Sequence, residues 1–563
     1  FAGPRLPLLI AETVADPAIG AGTILARESF YAVGVLLPLT CVLGAVFPIG
    51  ATLAARSDDG VAREVAIIYG LNTIGAVAGS LAGAFLLLPL FGLQQTLHIA
   101  GVLAVSTGVL AFVAGGLTSR QRAMAMATTV MTAVLVFTVP TWDLDLLSSG
   151  GYTYASDVDD TEGDLATSLK AGTLLYYKEG GTATVSVRRL AGTIALAIDG
   201  KVDASNWADM LTQKLLAHLP LLLHPDPHDV CVIGLGSGVT LGAALRHEID
   251  RADVVEISPE VVEASQFFAD DNGHALEDPR TRLIVGDGRS HLQLTADRYD
   301  VIISQPSNPW MAGVAALFTR DFFLAARDRL TPGGIFCQWA HTYDITDADL
   351  RSIAATFASV FPNGTLWLIG EADVLFIASN DPLGPQLDGL ADEWQSPSVA
   401  TDLAAVSVFD PFSLLSLYVA GPREMLRYSQ GAFVQTDDHP LLEFSGPRGV
   451  YDRGGNENVA TLRALLDPTR VPAALRTAQV AAGAREWRNR GQMLLMAQAH
   501  ATAYDAFSRS VELNPDDETA LMGLVEAAGA GQRLVEAQRV LETAARARSG
   551  SSAVRIALAR LLA

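Results

Sequence analysis

Val230-Cys231-Val232-Ile233-Gly234-Leu235-Gly236-Ser237-Gly238 is the stretch that decides how this chain is read. An apolar run ends in a glycine-rich loop, and a helical-looking segment follows. Three more runs repeat the pattern: Val254-Val255-Glu256-Ile257, Leu283-Ile284-Val285-Gly286-Asp287-Gly288, and Val301-Ile302-Ile303-Ser304-Gln305-Pro306-Ser307-Asn308-Pro309-Trp310. Short apolar runs alternating with helix-length segments predict a parallel, doubly wound, Rossmann-like α/β sheet. A fifth strand is expected at Ile335-Phe336-Cys337-Gln338-Trp339, with Leu366-Trp367-Leu368-Ile369 and Val374-Leu375-Phe376-Ile377-Ala378 as a closing pair. Ligands of such sheets sit at the carboxyl ends of the strands. The first four runs end there in glycine, acid or amide, which suggests a nucleoside-type ligand.

The residue types fit that ligand. Gly234, Gly236 and Gly238 bend the chain from strand into helix and let a ligand approach the backbone. Glu256 ends the next strand, where a carboxylate accepts the hydroxyls of a ribose, with Ile257 beside it. Asp287, next to Gly288, ends the third strand, in reach of an amine such as adenine N6. NAD fits the same outline, but Gly-x-Gly-x-Gly is one residue tighter than the usual dinucleotide fingerprint.

Outward from this core the chain changes character. Half of its 563 residues are hydrophobic and the net charge is −22, which argues for membrane spans and against nucleic acid as a partner. Phe30–Ala55 carries no charge and is long enough to cross a bilayer. Arg56–Glu64 reads as a charged loop. Val65–Ser119 is again uncharged and too long for one span, with a break at Pro89–Gln95. A fourth span is expected at Ala123–Val139. Gly75, Ala76, Gly79, Ser80 and Gly83 allow close helix packing in lipid. The chain opens at Phe1, so a preceding segment is expected. Residues 1–140 thus form a multi-span helical membrane region.

Residues 141–225 read as a polar linker, a small antiparallel β domain with turns at Gly180-Gly181 and Asp199-Gly200, and an amphipathic helix over Ala208–Leu223. The catalytic-type α/β domain covers 226–450. Residues 467–563 turn to Ala, Arg and Leu. There Ala506, Leu513-Asn514-Pro515 and Ala537 predict an α-helical, tetratricopeptide-like tail, with a spacing just short of the ~34 residues of that repeat. No cysteine pair has metal-ligand spacing, and no metal site is expected.

Several separated motifs carry a family resemblance. Asp199-Gly200-Lys201-Val202-Asp203-Ala204-Ser205, Ala217-His218-Leu219-Pro220-Leu221, the glycine loop, Val255-Glu256-Ile257, Gly286-Asp287-Gly288, Tyr299–Ile303, Leu330-Thr331-Pro332-Gly333-Gly334 and Thr436-Asp437-Asp438-His439-Pro440 occur in the order found in spermidine synthases. Phe47-Pro48-Ile49-Gly50 and Tyr69–Ala76 resemble the multi-span region of membrane-fused spermidine synthase-like proteins. The tight glycine spacing is similar to that of S-adenosylmethionine-dependent transferases.

The resemblance implies S-adenosylmethionine or its decarboxylated form as substrate, methylthioadenosine as product, a polyamine as possible acceptor and no permanently bound cofactor. It implies a base at the end of the fourth strand, where Gln305 stands, and a second acid where Asn308 stands. An amide accepts no proton at neutral pH. Either Gln305 is an engineered change, or the native reaction needs no base there (cleavage or cyclisation through an internal nucleophile), or the domain only binds. The family's amine pocket maps onto Tyr177, Asp209, Gln213, His218, Gln338, Asp437 and Asp438, although Gln213 and Lys214 depart from its usual His and Glu. A methyltransferase and a nucleoside-sensing or transport protein are the rival readings. The arginines Arg56, Arg63, Arg120 and Arg122 share one side and would put everything after Val139 outside. The substrate is made in the cytoplasm, so the enzyme domain of this bacterial-type inner-membrane protein is expected there. A homo-oligomer is also expected.

Overall fold

The computed structural model describes residues 5–54, 61–114, 118–158, 164–394, 396–451, 457–548 and 550–562. The chain divides into two compact units, Phe1–Gly192 with Leu196–Val202, and Thr193–Ala195 with Asp203–Ala563.

In the first unit, helices span Ala21–Ala54, Val61–Ala82, Leu88–Ala114 and Ser119–Phe137, with a π-helical turn at Gly83–Leu87. Two stretches among the described residues, Ala21–Thr52 and Ala62–Val113, are long and apolar enough to cross a membrane. The helix over the expected fourth span is not among them; it carries Arg120 and Arg122 in its first turn. The break expected at Pro89–Gln95 is a kink at Gly92, whose φ is +74° and ψ 173°. Most of the charged loop expected at Arg56–Glu64 lies outside the described residues; from Val61 the chain is helical. The expected linker is partly folded. Short helices at Leu144–Leu147 and Gly151–Tyr154 bury Leu146, and the Arg188 guanidinium donates to Asp145 Oδ1 at 3.0 Å. Strands β1 (Thr173–Glu179), β2 (Thr184–Leu190), β3 (Thr193–Ile198) and β4 (Lys201–Ser205) form a four-stranded sheet in chain order, β1 and β2 antiparallel.

The second unit is built on β5 (Asp229–Ile233), β6 (Arg251–Glu256), β7 (Thr281–Val285), β8 (Tyr299–Ser304), β9 (Leu330–His341), β10 (Thr365–Ile369), β11 (Asp373–Ser379) and β12 (Tyr418–Ala420). The sheet order is β12-β10-β11-β9-β8-β5-β6-β7. Strands β7, β6, β5, β8 and β9 are parallel, as β-branched runs separated by helices require. The wholly parallel sheet expected from sequence is therefore a mixed one. Between β10 and β11 only a tight turn with Gly370 at φ +64° intervenes, too short for a crossover, so that pair is antiparallel and β11 meets β9 antiparallel as well. Strand order reverses at β5, with β6 on one side and β8 on the other, the position at which open α/β sheets bind their ligands. Phe323, Phe336, Phe357 and Phe361 pack the core on one face of the sheet, with Phe336 stacked on Phe361 at 5.3 Å between ring centroids.

The helix Met210–Leu223 is buried from Leu211 onwards and is not amphipathic as expected. Its polar side chains are tolerated inside because each is paired. Thr212 donates to Asp373 Oδ2 at 2.5 Å, and Lys214 Nζ to Asp402 Oδ1 at 2.6 Å. The His218 Nε2–H donates to Asp402 Oδ2 at 2.9 Å, leaving Nδ1 to accept from His247 Nε2 at 2.9 Å. Burial opposes the charge on Asp402, but the His218 and Lys214 hydrogen bonds outweigh it and hold the carboxyl at about 2. Burial pushes both imidazoles below their ordinary 6.5, His247 the more strongly. Beyond the sheet, helices Ala484–Met496, His500–Leu513, Glu518–Ala530 and Leu534–Ala547 form a helical C-terminal region, docked through Trp487 edge-on to Phe412 at 5.1 Å.

Two outcomes are expected. A Cβ on Gly242, in the helix after the glycine loop, would stand 2.1 Å from the Asn272 carbonyl oxygen. Gly242→Ala will therefore lower stability in thermal unfolding by about 1–3 kcal/mol, although helix propensity alone favours Ala by about 1 kcal/mol; a stabilised variant contradicts the packing. For the two histidines, a folded pKa below 6.5 means the unfolded chain takes up protons first. Their contribution is complete above 6.5 and is lost as pH falls from there toward the folded values. The wild-type free energy of unfolding should fall between pH 7.5 and 5.5 more steeply than that of His247→Gln, by roughly 1 kcal/mol per pH unit for one imidazole. Equal slopes contradict it.

Candidate active site

The loop after β5 needs its glycines. Gly234, Gly236 and Gly238 have φ of +90°, +53° and +81°, a region that side chains with a Cβ rarely enter. A Cβ on Gly234 would also meet the Gln305 carbonyl oxygen at 2.6 Å. Gly238 opens the short helix Val239–Ala244. Across the loop, the buried Glu256 at the end of β6 accepts the Leu235 N–H through Oε2 at 2.8 Å and the Ser258 N–H through Oε1 at 2.8 Å. Burial raises its carboxyl above the ordinary carboxylate range; the backbone N–H groups of Leu235, Ser258 and Ile257 offset part of that. Three N–H groups do not fill the four acceptor positions of a carboxylate, so the group still has capacity for a hydroxyl donor. Ile257 is exposed. Gly288 is buried with no room for a Cβ against Ile233. Asp287 is exposed and caps the helix Gly288–Leu294 by accepting the Ser290 N–H at 2.6 Å.

Gln305 is bound at both ends of its amide. Nε2 donates to the Gly234 carbonyl oxygen at 2.6 Å, and Oε1 accepts from Thr240 Oγ1 at 2.5 Å. The side chain is thus turned back onto the glycine loop. Gln213 grips the same loop: its Oε1 accepts from the Ser237 hydroxyl, and its Nε2 donates to the Ser205 carbonyl at 2.9 Å. Ser205 also donates to Asp209 Oδ2 at 2.5 Å, and Ser307 donates to Asp203. Asn308 and Gln338 are fully buried.

Among the described residues, His218, Asp437 and Asp438 share no hydrogen bond with this cluster. His218 is engaged by Asp402 and His247 in the helix packing described above. Asp437 is paired with Arg289 and accepts from Thr319 Oγ1 at 3.0 Å; Asp438 is exposed. Tyr177 belongs to the first unit, where its hydroxyl donates to Glu179 Oε1 at 2.9 Å and burial raises its pKa. Sequence reading assigned no role to Asp203, Ser205, Ser237, Thr240 or Ser304. All but Thr240 stood within a quoted stretch, but a hydroxyl becomes informative only when its distant partner is known. An open cleft lined by Arg298, Arg327 and Arg329 lies at the opposite, amino-terminal ends of β8 and β9, away from all of these residues.

Residues 209–369 match the family described as Spermine/spermidine synthase domain. A polyamine aminopropyltransferase of Caldicellulosiruptor saccharolyticus is 33% identical over 175 residues, 31% of this chain and 62% of the relative. One from Thermotoga petrophila is 30% identical and matched over 49% of its length, so the chain spans between half and two thirds of these bacterial relatives. Spermidine synthase 1 of Datura stramonium is 32% identical over 239 residues, 39% of this chain and 77% of that enzyme. The solved spermidine synthase of Thermotoga maritima aligns at 19% identity and a TM-score of 0.36, over 52% of this chain and 88% of its own. With three quarters of the Datura enzyme matched and the family domain running from the helix before β5 to β10, the chain belongs to the spermine/spermidine synthase family.

Proposed function

We propose that the α/β region binds S-adenosylmethionine or its decarboxylated form at the carboxyl ends of β5 and β6. It breaks the bond between the sulfonium and its alkyl side chain, and methylthioadenosine leaves. The observation that carries this reading is the buried Glu256, hydrogen-bonded at 2.8 Å to the loop of Gly234, Gly236 and Gly238 at the point where the sheet order reverses. Glu256 takes the ribose, Ile257 borders the adenine, and Asp287 with Gly288 forms the far wall. In the reaction a nucleophile's lone pair attacks the carbon bonded to sulfur. The C–S bond breaks, its electrons stay on sulfur, and the sulfonium becomes a neutral thioether. The protein's task is to hold the two in line.

Aminopropyl transfer to an amine also needs a base to take the amine's proton. At that position stands Gln305, a neutral amide already held by Gly234 and Thr240. This favours a reaction without a proton to remove there, such as cleavage or cyclisation through an internal nucleophile. The same observation supports, as a second reading, a domain that binds the nucleoside without turnover. The helices of the first unit serve as an anchor in a bacterial-type inner membrane with the α/β region on the cytoplasmic side. None of the residues in the most apolar windows of its two long stretches is buried, and Leu36, Phe85 and Leu110 present large exposed apolar surface. The helical tail reads as a tetratricopeptide-like packing module. Its helices start at Ala484 and Glu518, and at His500 and Leu534, the ~34-residue period of that repeat.

The test is chromatography of products after incubating the purified full chain with each nucleoside. Methylthioadenosine is expected, and Gln305→Asp should raise aminopropyl transfer to a diamine by at least tenfold from decarboxylated substrate. S-adenosylhomocysteine as product makes the protein a methyltransferase. No product from the wild type, Gln305→Asp or Gln305→Glu leaves only the binding reading.

A further inference from the structure

Three fully buried polar side chains at the carboxyl ends of β8 and β9 carry atoms with no hydrogen-bond partner in the protein. They are, among the described residues, the Ser304 hydroxyl, both ends of the Asn308 amide and the Gln338 Oε1. Ser304 and Gln338 are register partners on adjacent parallel strands, so they stand side by side on one face of the sheet; Asn308 lies in the loop that continues β8. A buried polar group left unpaired costs about 1–3 kcal/mol, and such groups are uncommon in native proteins. Their concentration at these strand ends indicates that a ligand supplies their partners.

The inventory of these atoms restricts the ligand. Asn308 offers two N–H donors and a carbonyl acceptor, whichever way its amide is turned; Gln338 offers an acceptor; Ser304 is both. A protonated diamine or the aminopropyl end of a decarboxylated nucleoside supplies donors only. It leaves the Asn308 N–H groups without an acceptor. An ammonium next to a carboxylate supplies both kinds of partner. Asn308 and Gln305 are amides, so neither repels a carboxylate as an acid at those positions would. Asp203, which accepts from the Ser307 hydroxyl in the same loop, is the nearby counter-charge for the ammonium.

We propose that this pocket takes an α-amino carboxylate end, held by Asn308 and Ser304 with Gln338. The inference rests on the nucleoside reading above. It makes S-adenosylmethionine, carboxylate retained, the preferred form over its decarboxylated counterpart. The same chemistry can come from a separate amino acid bound beside methylthioadenosine.

Calorimetric titration of the purified full chain separates these cases. Methylthioadenosine, which has no aminoalkyl end, reports the nucleoside half alone. S-adenosylmethionine should bind at least tenfold more tightly than the decarboxylated form, and Asn308→Asp should shrink or invert that ratio. If the two forms bind equally in the wild type, methionine and other α-amino acids titrated into the methylthioadenosine complex should bind, and should not bind Asn308→Leu. Equal or tighter binding of the decarboxylated form, with no amino acid binding, overturns the proposal while leaving the nucleoside site intact. No binding of methylthioadenosine overturns the nucleoside reading itself.

Discussion

A single buried carboxylate ties the α/β unit together at the place where chemistry is expected. Glu256 sits at the end of β6, yet one of its oxygens is held by Leu235, in the loop that follows β5. Removing a carboxylate from water is costly unless hydrogen bonds replace the water. Here they come from backbone N–H groups, and the loop offers one only because its glycines adopt backbone angles closed to most other residues. Glycine loop and acid are therefore one structural element. The side chains that brace the loop, Gln213 through Ser237 and Gln305 through Gly234, keep its shape fixed before any ligand arrives.

That rigidity has a chemical consequence. In a family that transfers an alkyl group from sulfonium to amine, the corner after β8 is where a proton has to go. Gln305 and Asn308 place neutral amides at that corner. Gln305 spends both ends of its amide on the scaffold, whereas Asn308 spends neither. On the proposed reading the two amides have opposite relations to a ligand: Gln305 builds the wall and Asn308 takes a partner. The energetic asymmetry of unpaired buried groups is what separates their roles.

Much of this was legible in the chain. The β-branched runs at Val230, Val254, Leu283 and Val301 gave the parallel strands. Period and composition report local structure well. They do not report direction: β10 and β11 look like any buried strands, and only the short turn at Gly370 makes them antiparallel. Three-residue β12 is too short to leave a pattern. Nor do they report partners distant in sequence. Helix Met210–Leu223 looked half-exposed because Lys214 and His218 are polar; Asp402, far along the chain, neutralises both inside the core. The orientation of Gln305 toward the glycine loop needed coordinates.

The account stands or falls on whether Glu256 and its loop hold a nucleoside. The most direct measurement is a titration of methylthioadenosine into the wild-type chain and into Glu256→Gln. Loss of a charge-assisted hydrogen bond, about 1.5–3 kcal/mol, predicts saturable binding that weakens at least tenfold in the variant. Absence of binding to the wild type, or equal affinity for both proteins, contradicts the account.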